Sequence, residues 1–256
     1  MTYCITAKKF YDQLIEKYPT EAENINTEEI ALIVFPTSTI NYWKNIAFLQ
    51  EREWLMDRYS LYANPTEIWA GKFGGISFTV VRPPMGDSAM GAIIEQLIAC
   101  GTKIIMLVCG VWGIQDYLKI SDVCIPTISK AQNKISKSYG ANDELKLDKN
   151  IQNILKEKIE QLNINYYFGK NVAFESFYRI TKKELIDEKK EGILTAENGE
   201  LHTLLSITKE FNVRSGALFY NYFMPLRDDY LEVPSYLYKK GGEAIGRIAL
   251  ESLLEL

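Results

Sequence analysis

Between Met85 and Ile114 the chain runs from a glycine turn, Met85-Gly86-Asp87-Ser88-Ala89-Met90-Gly91, through an apolar helix into Ile104-Ile105-Met106-Leu107-Val108-Cys109. It leaves through a second turn, Gly110-Val111-Trp112-Gly113. A run that is apolar at every position has no face to give to water, so it belongs in a sheet covered on both sides. Ile30-Ala31-Leu32-Ile33-Val34-Phe35 is a second such run, closed by Pro36-Thr37-Ser38-Thr39. Buried strands alternating with helices predict one α/β sandwich, and in such folds ligands sit where strands end. With 256 residues, 47% of them hydrophobic, the chain is long enough to give such a domain a sizeable core.

Periodicity places the remaining elements. Residues 6–18 have helical spacing, with Phe10, Leu14 and Ile15 on one side and Pro19 as terminator. With the polar segment that follows, residues 1–29 read as an N-terminal helical extension and 30–256 as the domain proper. Residues 40–55 fit a helix, and 67–69 and 76–81 fit strands joined at Gly74-Gly75. Residues 90–100 fit a helix with Gly101 as C-cap, and a third buried strand starts at 123–125. The polar stretch 133–146 reads as a mobile loop. Helices are expected at 148–162, 182–190, 200–211 and 242–254, and strands at 172–178 and 215–223.

The formal net charge is -4 and the pI about 5.3, with no dominant basic stripe, which argues against a general nucleic-acid binder. Lys182-Lys183 and Lys189-Lys190 sit among acidic residues and read as solvated helix faces. Cys4, Cys100, Cys109 and Cys124 form no C-x-x-C pair, and His202 is the single histidine. Neither a zinc site nor any other metal is expected, and the cysteines read as reduced thiols of a cytoplasmic protein. His202 reads as structural. The first residues do not read as a signal peptide, and no apolar run approaches the ~20 residues that span a bilayer, so no membrane partner is expected.

Four local matches carry a resemblance. Pro84-Met85-Gly86 stands where a Gly-Met-Gly-like turn precedes a helix, and Gly110-Val111-Trp112-Gly113 where Gly-Thr-x-Gly or Gly-Ser-x-Gly follows a strand. Glu175-Ser176-Phe177-Tyr178 looks like an Asp-Leu-Phe-Tyr segment. Gly192-Ile193-Leu194 followed by Glu200 looks like the segment holding Glu-Met-Glu. In this order, over roughly residues 30–254, the chain resembles the nucleoside phosphorylase superfamily, the purine nucleoside and uridine phosphorylases. The resemblance implies a three-layer α/β/α sandwich with a central mixed, partly barrel-like sheet. It implies cleavage of the N-glycosidic bond of a nucleoside, tilted toward purine, into free base and pentose 1-phosphate. Inorganic phosphate would be cosubstrate, with no other cofactor. A homo-oligomer is also implied, whether dimer, trimer or hexamer.

Residue by residue, Glu200 would grip the ribose hydroxyls, with Glu197 as the alternative because one inserted residue separates the two matches. Charge-assisted hydrogen bonds suit a carboxylate to that task; a helix-start Glu favoured by the dipole is the structural reading. Phe177 and Tyr178 would stack on the base, or form a core pair. Met85 would pack on the ribose, or in the core. Asn221 stands nearest the position of the acid that serves the leaving base; an amide hydrogen-bonds a 6-oxopurine but cannot protonate it. Asp228 and Asp229 lie further on.

The phosphate site departs from the pattern. The family's Arg position reads Val108 and its Thr position Val111. Thr37, Ser38 and Gly110 are the phosphate candidates that remain, with Arg82 and Arg58 the nearest cations. Burying an unpaired dianion against valines costs several kcal/mol. Two other readings therefore stand beside phosphorolysis: a nucleosidase that uses water, although no carboxylate lies between Pro36 and Trp43, and a noncatalytic nucleoside-binding or storage-like protein.

Overall fold

The computed structural model describes residues 5–54, 56, 65–131, 133–227 and 233–256. Strand β1 (Ile30–Val34) is buried along its whole length, and its alternation sorts the molecule into layers. Ala31 and Ile33 join one core with Ile93 and Leu97 of α4 (Asp87–Ala99) and Leu201 and Leu204 of α8 (Glu200–Glu210). Ile30, Leu32 and Val34 join the other, with Ile40 and Trp43 of α3 (Thr37–Ile46) and Ile245 and Ile248 of α9 (Ser235–Ser252). Side chains this fully buried contribute about 1.5–3 kcal/mol each. Together they fix the three-layer sandwich.

Between the layers runs one mixed sheet. Strand β1 pairs in parallel with β4 (Ile76–Arg82) and β5 (Ile104–Gly113), and β5 pairs in parallel with β10 (Arg214–Phe223). The hairpin of β3 (Glu67–Phe73) and β4 turns at Gly74-Gly75, and β2 (Gln50–Glu51) adds to its edge. On the other side, β10 pairs with β6 (Val123–Lys130), β6 with β8 (Tyr166–Ala173), β8 with β9 (Ile193–Glu197), and β9 with β5. Because β5 also pairs with β10, these five strands close into a barrel. Strand β7 (Glu144–Lys146) pairs with β6.

Gly113 marks the closure. A Cβ there would lie 2.7 Å from Nδ2 of Asn221. Without one, the Gly113 N–H donates to Asn221 Oδ1 at 2.8 Å, while Nδ2 donates to the Lys119 carbonyl at 3.0 Å.

Outer helices follow local signals. Thr6 caps α1 (Ala7–Lys17), which lies against α4 and buries Leu14 in its core. A short α2 (Ala22–Ile25) follows. Asp148 caps α6 (Lys149–Gln161), and Thr181 with Glu184 forms a capping box on α7 (Lys182–Lys190). His202 is buried as expected of a structural residue. Its Nε2 lies 3.1 Å from the Asn142 carbonyl and its Nδ1 3.2 Å from the Ser129 carbonyl and 3.3 Å from the Ser129 hydroxyl; burial lowers its pKa, opposed in part by the two carbonyls.

Several boundaries differ from expectation. The helix expected over 40–55 is α3, which stops at Ile46: Ala47 caps it and Phe48 turns left-handed at φ 43°. The stretch 133–146 is not a loop throughout. Asn133 accepts the Ser136 N–H and starts α5 (Lys134–Ser138), and β7 buries only Leu145 of its three residues, so its sequence reads polar. Strand β8 begins at Tyr166 and ends at Ala173, and Phe177–Arg179 is a 3-10 turn. Helix α9 starts at Ser235, earlier than 242. Strand β9 is not evident in the sequence, because a strand that ends on Glu197 looks like the start of a polar turn.

Candidate active site

Strands β1, β4, β5, β9 and β10 deliver their C-terminal ends to one cavity of about 460 Å³. Phe35, Pro36 and Thr37 come from the end of β1 and the start of α3; Arg82 through Met85 follow β4; Cys109 through Trp112 belong to β5. Glu197, Asn198 and Glu200 line the side formed by β9 and α8, and Tyr220 and Tyr222 of β10 complete the wall. Trp112 Nε1 donates to the Tyr222 hydroxyl at 3.0 Å, which fixes two of the four aromatic residues relative to each other.

The acidic side is set by a sharp turn. Gly199, with φ 92°, takes a left-handed conformation that a side chain would strain, and Glu197 folds back over the helix that begins at Glu200. Glu197 Oε2 accepts the N–H groups of Glu200 (2.6 Å) and Leu201 (3.4 Å), and Oε1 accepts from Asn171 Nδ2 (3.3 Å). Asn171 is itself held by the Thr195 hydroxyl at 3.0 Å. Glu200 Oε1 receives the Gly86 N–H at 3.4 Å. The two side chains belong to residues 5% and 3% exposed. Burial first, and then the neighbouring Glu200 carboxylate, raise the Glu197 pKa well above the carboxylate range; the helix N–H groups oppose this only in part. Burial and both carboxylates likewise keep the Cys109 thiol protonated.

A raised acid pKa has a definite sign in stability. The folded state keeps the Glu197 proton at pH values where the unfolded chain releases it. The contribution is therefore full below about pH 4.5 and is lost as pH rises toward the folded pKa. Glu197→Gln removes this titration. Its stability should fall less steeply with pH than that of wild type, by up to about 1.4 kcal/mol per pH unit. Urea unfolding at several pH values between about 5 and 7 checks it, and parallel slopes would contradict it.

Across the cavity sits Arg82, the single cationic side chain lining it among the described residues. Its Nη1 pairs with Glu67 at 2.6 Å, and Nη2 donates to the Phe35 carbonyl (3.2 Å) and the Thr37 hydroxyl (3.1 Å), while Nε is buried without a partner among the described residues. Thr37 opens α3, whose N-cap Pro36 supplies no side-chain cap. The α3 N-terminus thus brings its dipole to the same corner as the guanidinium.

The sequence matches the family model of the phosphorylase superfamily over residues 56–220. The chain belongs to the phosphorylase superfamily. No curated protein matches it at a significant level. Its fold is similar to that of the purine nucleoside phosphorylase from Toxoplasma gondii in complex with immucillin-H (TM-score 0.76, 16% identity, 91% of this chain and 92% of that one). It is also similar to the uridine phosphorylase from Vibrio fischeri (0.75, 18%, 91% and 95%) and the P. knowlesi homologue of P. falciparum PNP (0.72, 19%, 89% and 88%).

In this phosphorylase-superfamily chain Glu197, Glu200, Met85, Thr37 and Gly110 meet in the one cavity, and Met85 is 65% exposed at its mouth rather than in the core. Ser38 does not line it; its hydroxyl reaches toward the Tyr238 carbonyl at 3.5 Å. Asn221 does not line it either. Its amide is spent on Gly113, Lys119 and Met224, so it acts as a peg between β5 and β10 instead of facing a base. Tyr178 is fully exposed and stacks on nothing among the described residues, and the Phe177 side chain lies outside the described ones. Arg58, Asp228, Asp229 and Cys4 also lie outside the described residues. Val111 lines the cavity, but strand alternation turns Val108 into the α3/α9 core. Sequence reasoning missed Phe35, Trp112, Tyr220 and Tyr222, although the i, i+2 spacing of the two tyrosines on one strand was a usable signal. No described helix is long and apolar enough to cross a membrane.

Proposed function

We propose that this chain cleaves the N-glycosidic bond of a nucleoside, preferably of a purine, by phosphorolysis. The observation that carries the reading is one cavity with a buried carboxyl pair on one side, an arginine at a helix N-terminus on the other and four aromatic side chains between. In this reading Glu200 accepts both ribose hydroxyls, and Glu197, braced by Asn171, holds the first turn of α8 so that Glu200 stays in place. Met85 covers the sugar at the mouth, and the base lies against Trp112 and Tyr222, in place of the stack on Phe177 and Tyr178 that the resemblance implied. Developing positive charge at the anomeric carbon is stabilised by the carboxylate side. Inorganic phosphate is received at Thr37, Arg82 and the α3 N–H groups beside Gly110. No further cofactor is involved. Family membership supports a homo-oligomer and a cytoplasmic location as part of the same proposal.

A second reading, water as nucleophile, is favoured by the ion pair of Arg82 with Glu67, which leaves the guanidinium only partly available to a dianion. Release of base from a nucleoside panel, with and without phosphate, separates the two: release only with phosphate supports phosphorolysis, and equal release without it supports hydrolysis. Glu67→Gln frees Arg82 from its carboxylate. It should lower the KM for phosphate several-fold, about the worth of one charge-assisted bond, and Arg82→Met should raise it by about tenfold or more. An unchanged phosphate KM in both variants would remove Arg82 from the anion site.

A further inference from the structure

Away from the strand ends, α1, α4, α5 and the end of α8 surround a separate groove of about 520 Å³, within the size range of small-molecule sites. Ser88, Ala92 and Glu95 stand at i, i+4 and i+7 on α4, so they form one face of that helix, and this face is the floor. Phe10 of α1, Tyr139 after α5 and Phe211 after α8 supply aromatic walls. Two large apolar side chains of the lining are left open to water, Ile5 at 70% and Phe211 at 42% exposure. A ligand that covers them removes apolar surface from water, which stabilises the complex.

The charge of the groove has one sign. Glu95 and Glu210 are the charged side chains of its lining, and among the described lining residues there is no lysine or arginine. Glu95 is half-buried, and the Tyr139 hydroxyl donates to its Oε1. Neither carboxylate has a cationic partner among the described residues. Glu95 has therefore lost water to the apolar walls without gaining a counter-charge, a cost that a bound cation offsets. The faces of the three rings attract positive charge as well. An anionic ligand would be repelled, and a neutral one would leave both carboxylates as they are.

We infer that this groove is a second ligand site, distinct from the strand-end cavity, and that it takes a hydrophobic amine: a protonated primary amine on an aromatic tail. The ammonium group donates to the Glu95 carboxylate, and the tail lies among Phe10, Tyr139 and Phe211. The small side chains of Gly91 and Ala92 leave room for it over α4. The site stands whatever the strand-end cavity cleaves, because it shares no lining residue with that cavity.

Titration calorimetry on the full chain tests it with three probes at about pH 7, where an alkylamine is protonated. Tryptamine is compared with 3-ethylindole, its neutral analogue, and with indole-3-propionate, its anionic one. Tryptamine should bind about tenfold or more tightly than 3-ethylindole, the worth of one charge-assisted hydrogen bond, and indole-3-propionate should bind most weakly. Glu95→Gln keeps an acceptor for the Tyr139 hydroxyl but removes the charge, and should bring tryptamine to the level of the neutral probe. Ala92→Trp fills the groove and should abolish tryptamine binding, which keeps the test readable if Glu95→Gln folds poorly. Glu200→Gln, in the other cavity, should leave tryptamine binding unchanged. Equal affinity for tryptamine and 3-ethylindole would overturn the inference, and so would a loss in Glu200→Gln in place of Glu95→Gln. Wild-type protein that binds no tryptamine, as when a second copy of the chain covers the groove, would overturn it too. The nucleoside reading rests on other residues and would survive each of these results.

Discussion

Glu200→Ala should lower kcat/KM for nucleoside cleavage by about a hundredfold or more, because in the proposed reading it removes the acceptor of two charge-assisted hydrogen bonds. Stability should hold or rise. Glu200 is 3% exposed and has no cationic partner among the described residues, so deleting it removes an uncompensated buried carboxylate, and the Gly86 N–H it accepts is already at 3.4 Å. Steady-state kinetics with thermal denaturation of the same preparation separates the two effects. Unchanged kinetics would show that the sugar is held elsewhere.

Asn221→Ala should do the reverse. Its Oδ1 accepts the Gly113 N–H at 2.8 Å and its Nδ2 donates to the Lys119 carbonyl at 3.0 Å, so truncation leaves buried backbone groups unpaired where β5 meets β10. Each such group costs about 1–3 kcal/mol, which gives a loss of about 2–6 kcal/mol for the pair. Chemical denaturation would measure it. The affinity of the folded fraction for nucleoside should stay close to wild type, since the amide does not line the cavity. A large loss of affinity with unaltered stability would instead return Asn221 to the base.

These two residues show what was legible in the sequence. Continuous apolar runs at 30–35 and 104–109 announced the central strands, because a run without a polar face has only one place to go. The distance of Glu200 from a matching segment marked it as a candidate, and the structure places it on the cavity wall. Asn221 was misplaced: at its position on β10 the side chain is turned toward the Gly113 N–H, a choice made by the β5–β10 closure and invisible in the chain. The aromatic wall was dispersed over Phe35, Trp112, Tyr220 and Tyr222, three strand ends that only that closure brings together. The pairing of Arg82 with Glu67 was within reach, since counting outward from the Gly74-Gly75 turn sets the two opposite each other in the hairpin. Strand β9 was hidden because its last residue is the acid that folds back over α8.

A crystal structure with a slowly cleaved nucleoside analogue would locate the sugar and the base. The expected placement has the two ribose hydroxyls within hydrogen-bond distance of Glu200, with the base against Trp112 and Tyr222. A ligand seated in the separate 520 Å³ groove beside Phe10, Met56 and Tyr139, with the strand-end cavity empty, would contradict it.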